Sequence, residues 1–401
     1  MQGSYFIYTF VTMIKRLLEK DIMQRLGYSP AVAILGARQT GKTTLAKQIA
    51  LKLKKQSVYI DLENPNDRIM LSDAYHYLDM QRDKLVIIDE VQLIPELFSI
   101  LRPLIDAHRK NKRFLLLGST SPVLVKGVSE SLAGRVAYTY LNPFNLSELP
   151  AKYTQNTHWF RGGFPRALLA RSGNICLQWH NDIIASYIER DFALLFGTSF
   201  SKSVMHRLWQ MLASANSAVW NAQNFSRSLG ISAPTVNRYL DFMEGTFLVR
   251  KLPAWYINAK KRLVKSPKIY IRDSGILHRL NNIASFDNLC GHIIIGASWE
   301  GYVVEQTLQL LSPQLNGYFY RTQDGAECDL LLTTGIKPVA CIEIKYSNAP
   351  QVSKGFYYCL NELKTKHNFI ITPSSDDYSL NKNIHVCSMA TFIKKYLPGI
   401  N

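Results

Sequence analysis

Residues Gly36 to Thr43 read Gly-Ala-Arg-Gln-Thr-Gly-Lys-Thr, the G-x-x-x-x-G-K-T spacing of a phosphate-binding loop. Such a loop holds a triphosphate together with Mg²⁺. Its glycines let backbone N–H groups point inward at phosphate oxygens, and the N-terminus of the following helix adds positive charge. Nucleotide contacts are therefore expected from Gly36, Ala37, Arg38, Gln39, Thr40, Gly41, Lys42, Thr43 and Thr44. Lys42 would reach the β- and γ-phosphates, and the Thr43 hydroxyl would ligate Mg²⁺.

A second group of residues suits hydrolysis. The apolar run Leu85-Val-Ile-Ile88 ends in Asp89-Glu90. At the C-terminal end of a parallel strand these carboxylates reach the crevice where phosphates sit. Asp89 would hold Mg²⁺ through water, and Glu90 would orient or deprotonate the attacking water. Phe114-Leu-Leu-Leu117 ends in Gly118-Ser119-Thr120. Ser119 or Thr120 could sense the γ-phosphate or position the water, or the stretch could simply cap a following helix. Arg135 could touch the phosphates of its own chain or a neighbour's, or form an ordinary salt bridge.

A third group lies near the C-terminus. Period-two alternation puts Glu327 and Asp329 on one face of a strand, and Glu343 and Lys345 on one face of the next. Asp329 and Glu343 would chelate Mg²⁺, Lys345 would hold or polarise a water, and Glu300 from an upstream helix would complete the pocket. This is a nuclease-like pattern. The bland alternative is an edge strand with solvated charges, although charges in so apolar a run are costly when unpaired.

The elements that must carry these groups can be read from the pattern. Strands are expected at 31–35, 57–61, 85–89, 113–117 and 136–140, with helical stretches between them. This alternation predicts a parallel sheet covered by helices on both faces. From Ala222 to Leu229 and from Ala233 to Met243 two short helices flank the turn Gly230-Ile231-Ser232. Pro234 falls in a first turn, where its missing N–H does no harm. Thr235, Asn237 and Arg238 would face outward, as in a DNA-reading helix. Phe247–Leu252 and Ala254–Asn258 suit two wing strands. A second α/β unit follows, with strands near 317–322, 327–332, 339–346 and 368–372. The expected domains are 13–160, a nucleotide-binding core; 161–214, a helical lid or linker; 215–280, a winged helix; and 285–401, a nuclease-like α/β domain.

With 401 residues the chain is long for one core, and its formal net charge of +17 favours an anionic partner such as DNA. Between Gly245 and Arg272 stand Arg250, Lys251, Lys260, Lys261, Arg262, Lys265, Lys268 and Arg272, with no acidic residue among them. Lys260, Lys261 and Arg262 are the expected nucleic-acid contacts. The six cysteines form no C-x-x-C pair and stand at no zinc spacing, which points to a reducing, cytoplasmic setting. The first residues are too short a run to span a bilayer, so no membrane partner is expected. Residues before Met13 are expected to be an upstream extension of the true start.

These stretches together resemble a bacterial and archaeal family of AAA-type ATPases with a C-terminal, restriction-endonuclease-like domain of unknown function. The matching residues are the Gly36–Thr43 loop, Ile88-Asp89-Glu90, Gly118-Ser119-Thr120, Leu132-Ala-Gly-Arg135, Gly162-Gly-Phe-Pro165, Tyr187-Ile-Glu-Arg-Asp191, the helix-turn-helix, Ile271-Arg-Asp273-Ser-Gly275, and Glu300, Asp329, Glu343 and Lys345. The resemblance implies ATP as the nucleotide and a winged helix in mid-chain, but no cellular role. Two readings follow. One is an ATP-driven, DNA-associated machine. The other is a signalling switch whose partner is a protein, or a second copy of the chain.

Overall fold

The computed structural model describes residues 14–108, 110–121, 134–192, 201–256, 263–381 and 383–401. The expected start at Met13, and Lys260, Lys261 and Arg262, lie outside the described residues. The chain divides into two compact units, one ending at Thr154 and the other beginning at Gln155.

In the first unit the apolar runs become strands. They are β1 (Ala31–Leu35), β2 (Ser57–Asp61), β3 (Leu85–Asp89), β4 (Phe114–Gly118) and β5 (Val136–Tyr140), in the order β2-β3-β4-β1-β5, all parallel. Every residue of β1, β3 and β4 is buried. A parallel strand covered on both faces has no solvent side, which is why these runs read as continuous apolar stretches. Helices α1 (Leu18–Tyr28) and α2 (Lys42–Leu53) place Ile22, Leu26, Leu45 and Ile49 against Val32, Ile34, Leu115 and Leu117. Between β2 and β3 the helical stretch is two helices, α3 (Pro65–Met70) and α4 (Ala74–Met80). The Asp73 side chain accepts from the His76 N–H and starts the second of them. Helix α5 (Leu97–His108) completes the unit. Because β3, β4 and β1 are neighbours, the residues just past their C-terminal ends share one edge of the sheet.

The second unit begins with helices α6 (Gln155–Arg161), α7 (Gly173–Ser186), α8 (Lys202–Ser214), α9 (Ala222–Leu229) and α10 (Ala233–Gly245). Asn221 caps α9, Gly230 turns the chain at φ 67°, and Ser232 caps α10. Strand β6 (Val249–Leu252) pairs antiparallel with β7 (Lys268–Ile271). This corrects the expected wing. The second strand is Lys268–Ile271, whereas Ala254 bridges to Phe319 and Trp255 is buried in the C-terminal core, 4.9 Å from the Tyr318 ring. Pro253, with no N–H to donate, separates the two roles. After α11 (Ser274–Leu280) and α12 (Ile295–Leu308) come β8 (Leu315–Arg321), β9 (Glu327–Thr334), β10 (Lys337–Ile344), α13 (Lys354–Leu363), β11 (His367–Thr372), β12 (Tyr378–Asn381) and β13 (Ile384–Ser388). They form a mixed sheet in the order β12-β13-β11-β10-β9-β8.

Residues 155–160 belong to this second unit rather than to the nucleotide core. Trp159 is fully buried and meets Trp299 at 5.2 Å, and its Nε1 donates to Ser298 Oγ. Gly162 and Gly163 make the turn that follows. The Asp273 carboxylate accepts from the Gly163 and Ile276 N–H groups at 2.8 and 3.0 Å. Gly162 has φ 75°, and a Cβ there would lie 2.2 Å from that carboxylate. Only glycine meets both conditions.

Candidate functional site

The phosphate loop joins β1 to α2. Gly41 holds φ 95°, and a Cβ on Gly36 would lie 2.1 Å from the Leu141 carbonyl oxygen. Lys42 is buried and donates to the Gly36 and Ala37 carbonyls at 2.9 and 3.0 Å, so its ammonium sits in the hollow of the loop. Thr43 Oγ1 donates to Asp89 Oδ2 at 2.6 Å, which brings the two expected Mg²⁺ ligands together. A hydroxyl beside a carboxylate is the hard oxygen set that Mg²⁺ takes at nucleotide sites, so these residues fit the ion. Tyr59 OH also donates to Asp89 Oδ2, at 2.8 Å. Burial raises the Asp89 pKa, against the pull of these two donors.

Glu90 follows β3 with φ 54°, a strained backbone for a residue with a side chain. Its carboxylate accepts from Ser119 Oγ at 2.9 Å and from Gln92 Nε2. Burial works against its charge, but Lys42, Gln92 and Arg38 outweigh it and hold the carboxyl below its usual range. Glu90 is thus an oriented carboxylate whose charge its neighbours favour. Ser119 holds Glu90 and accepts from Gln92 Nε2 at 2.9 Å. Arg38 reaches Glu63 at 3.3 Å. Thr40 is buried, and Gln39 and Thr44 are exposed.

Arg135 does not reach the phosphate loop of its own chain. Val136 pairs with Ala31, so Arg135 stands at the start of β5, a strand's length from the loop that follows Leu35. Its guanidinium forms a two-pronged pair with Asp106 at 2.7 and 2.8 Å. The salt-bridge alternative is the one the geometry bears.

The four C-terminal residues do converge. Lys345 Nζ lies 2.7 Å from Glu343, and the Ile344 N–H donates to Asp329 Oδ2 at 2.9 Å. Lys268 also enters this pocket, from β7. It is 3% exposed, and its ammonium lies 2.8 Å from Glu300 Oε1 and 3.3 Å from Asp329 Oδ1, with Glu327 as a third partner. Tyr270 OH donates to Glu300 at 2.7 Å. The expected Mg²⁺ ligands Glu300, Asp329 and Glu343 therefore do not fit a metal as they stand, since a fixed ammonium lies among them. Among the described residues, no three His, Cys, Asp or Glu side chains are grouped so as to hold a metal ion. Cys328 points away, into the sheet's core with Cys341 and Cys359.

On α10, Asn237 and Arg238 are exposed and Thr235 is half-buried against Ser232. Asn237 Oδ1 accepts from Trp220 Nε1 at 2.8 Å. Among the described residues of the basic run beyond it, Arg250, Lys251, Lys268 and Arg272 are paired with carboxylates of the same unit. Glu305 binds Arg250 and Arg272, at 2.9 and 2.7 Å, and Lys251 pairs with Asp241 and Glu244. Burial opposes the Glu305 charge, but the two arginines pull its pKa down to about 2. Lys265 is exposed.

Uncharacterized proteins of Mycobacterium tuberculosis and Mycobacterium bovis are each 37% identical to this chain over 363 residues, covering 90% of it and 81% of their own length. The chain belongs to their family. A model described as an AAA domain matches residues 28–150, the stretch that carries the phosphate loop, Asp89, Glu90 and Ser119. This AAA-type P-loop ATPase also matches two domains of unknown function, DUF8612 over 152–287 and DUF4143 over 295–392. Among solved structures, a Walker-type ATPase of Pyrococcus abyssi is similar at 14% identity, covering 67% of this chain and 96% of its own, with a TM-score of 0.49.

Four residues of the ATPase carry parts of these sites without a motif to announce them. Arg16 donates to the Thr40 and Asn142 carbonyls at 2.9 and 2.6 Å and pairs with Glu148 at 3.1 Å, clamping the phosphate loop from outside. Tyr59 and Gln92 hold Asp89 and Glu90. Tyr59 shares the strand parity of Asp61, and Gln92 follows the acidic pair by two residues, so each carried a faint signal. Arg16 carried none. Lys268 was visible only as one more basic residue. No helix among the described residues is long and apolar enough to cross a membrane.

Proposed function

We propose that this AAA-type protein binds and hydrolyses ATP with Mg²⁺ and associates with DNA through α9 and α10. The carrying observation is that Lys42, Thr43, Asp89, Glu90 and Ser119 meet at one sheet edge, with Glu90 held ionised by its neighbours. Lys42 would bind the β- and γ-phosphates. Thr43 and Asp89 would hold Mg²⁺, which, when bound, offsets the negative charge of the phosphates. Glu90 would take the proton of the attacking water, oriented by Ser119 and Gln92. In support of DNA association stand the net charge and the exposed Asn237 and Arg238 on the second helix of the helix-turn-helix.

One observation favours the second reading, in which the partner is a protein. Arg250, Lys251, Lys268 and Arg272 are spent on internal carboxylates and are not offered to a phosphate backbone. The C-terminal domain serves in either reading as a binding platform rather than a metal-dependent nuclease.

Phosphate release and ATP binding, measured on wild type, Lys42→Ala and Glu90→Gln, test the first part. Glu90→Gln should keep ATP binding and lose about a hundredfold or more in turnover, while Lys42→Ala loses both. Turnover by Glu90→Gln at the wild-type rate would sink the assignment. DNA binding should fall steeply with salt, and Arg238→Ala should lower the log–log slope by about one. Absence of salt-sensitive binding at low ionic strength selects the protein-partner reading.

A further inference from the structure

Four carboxylates, Glu300, Glu327, Asp329 and Glu343, line the C-terminal pocket, and their surroundings differ sharply between its two lysines. Lys345 is 39% exposed and touches Glu343 alone among the four. Lys268 is 3% exposed and touches the other three. An ammonium has three protons to donate and no acceptor capacity. Here each of three carboxylates stands within ion-pair distance of it. Two of the three have their second oxygen engaged as well: the Ile344 N–H donates to Asp329 Oδ2, and Arg321 reaches Glu327 Oε2 at 3.1 Å, whereas at Glu300 Tyr270 OH and Lys268 share Oε1.

A buried charge is tolerated only when paired. Lys268 therefore offsets part of the cluster's negative charge, and a divalent cation brought between Glu300 and Asp329 would sit against its ammonium. The source of the lysine matters as well. It comes from β7, which pairs with β6 just after the helix-turn-helix, whereas Glu300 lies on α12 and Glu327 and Asp329 on β9.

We propose that Lys268 is the resident cation of this pocket, held by Glu300, Glu327 and Asp329 in place of a divalent metal, and that it latches the β6–β7 pair onto the C-terminal sheet. The pocket is a metal site closed by its own chain. This takes further the reading of the C-terminal domain as a platform, and it is independent of ATP hydrolysis in the first unit.

The test uses Mn²⁺ as the probe, with the full chain carrying Thr43→Ala to silence metal binding at the phosphate loop. Electron paramagnetic resonance counts bound Mn²⁺ without recourse to ATP turnover or DNA cleavage. With Lys268 present, no Mn²⁺ site that depends on Asp329 is expected. Lys268→Met should gain one Mn²⁺ per chain and melt at a lower temperature, with several degrees restored by Mn²⁺. Asp329→Asn added to it should abolish both effects, and Lys268→Arg should bind none. An Mn²⁺ bound with Lys268 in place, and lost in Asp329→Asn, overturns the proposal even if Lys268→Met fails to fold. So does a folded Lys268→Met chain that gains no Mn²⁺. A failure of the platform reading alone would look different: DNA would be cut with Lys268 present while no Asp329-dependent Mn²⁺ is bound.

Discussion

Arg16 shows how much of a site can rest on a residue outside its motifs. It is buried, it holds the Thr40 carbonyl in the middle of the phosphate loop, and it ties that loop to Asn142 and Glu148. Hydrogen bonds from a charged donor contribute about 1.5–3 kcal/mol each. If one such bond's worth of loop order is lost, Arg16→Ala should weaken ATP binding about tenfold, while Glu90 and its partners stay in place. Calorimetric titration of ATP into the variant measures this, and unchanged affinity would show that the loop holds its shape without the clamp. The residues of the loop itself were legible because the phosphate chemistry needs them contiguous. Asp89 and Glu90 were legible because they end an apolar run. Arg16 and Lys268 reach their sites only through folding, and nothing in their local sequence says where they will arrive.

Among the elements, the joint between β6, β7 and α12 holds a second buried carboxylate besides Glu300. Glu305 is buried between Arg250 and Arg272, with a folded pKa of about 2 against an ordinary 4.5. A depressed folded value means that its contribution is fully present above pH 4.5 and is lost as pH falls from 4.5 toward 2. The size is about 3 kcal/mol. All six tryptophans lie beyond Thr154, so their fluorescence reports the second unit alone. Urea unfolding followed by that signal should show stability falling below pH 4.5 in wild type. Glu305→Gln should be less stable at pH 7 and nearly flat across the same window. An equally steep fall in the variant would place the acid sensitivity elsewhere. Strands β1, β3 and β4 were legible because burial on both faces leaves an unbroken apolar run. The strand that pairs with β6 was not. Ala254–Asn258 has the same β-rich texture as Lys268–Ile271, and only pairing partners distant in sequence decide between them.

At the scale of the molecule, the charge of +17 reads differently once its partners are known. Part of it is structural, bound up with Glu305, Asp241, Glu244 and the C-terminal carboxylates. Arg238 and Lys265 are exposed at the surface. Under the proposed function there is one hydrolytic centre, at the phosphate loop, and the C-terminal domain carries out no phosphodiester chemistry. The most direct measurement follows phosphate release and plasmid integrity together, in one reaction of wild-type protein, supercoiled DNA, ATP and Mg²⁺. The predicted result is steady phosphate release with the plasmid left supercoiled. Nicking or linearisation that disappears with Asp329→Ala, or intact protein that releases no phosphate, would contradict it.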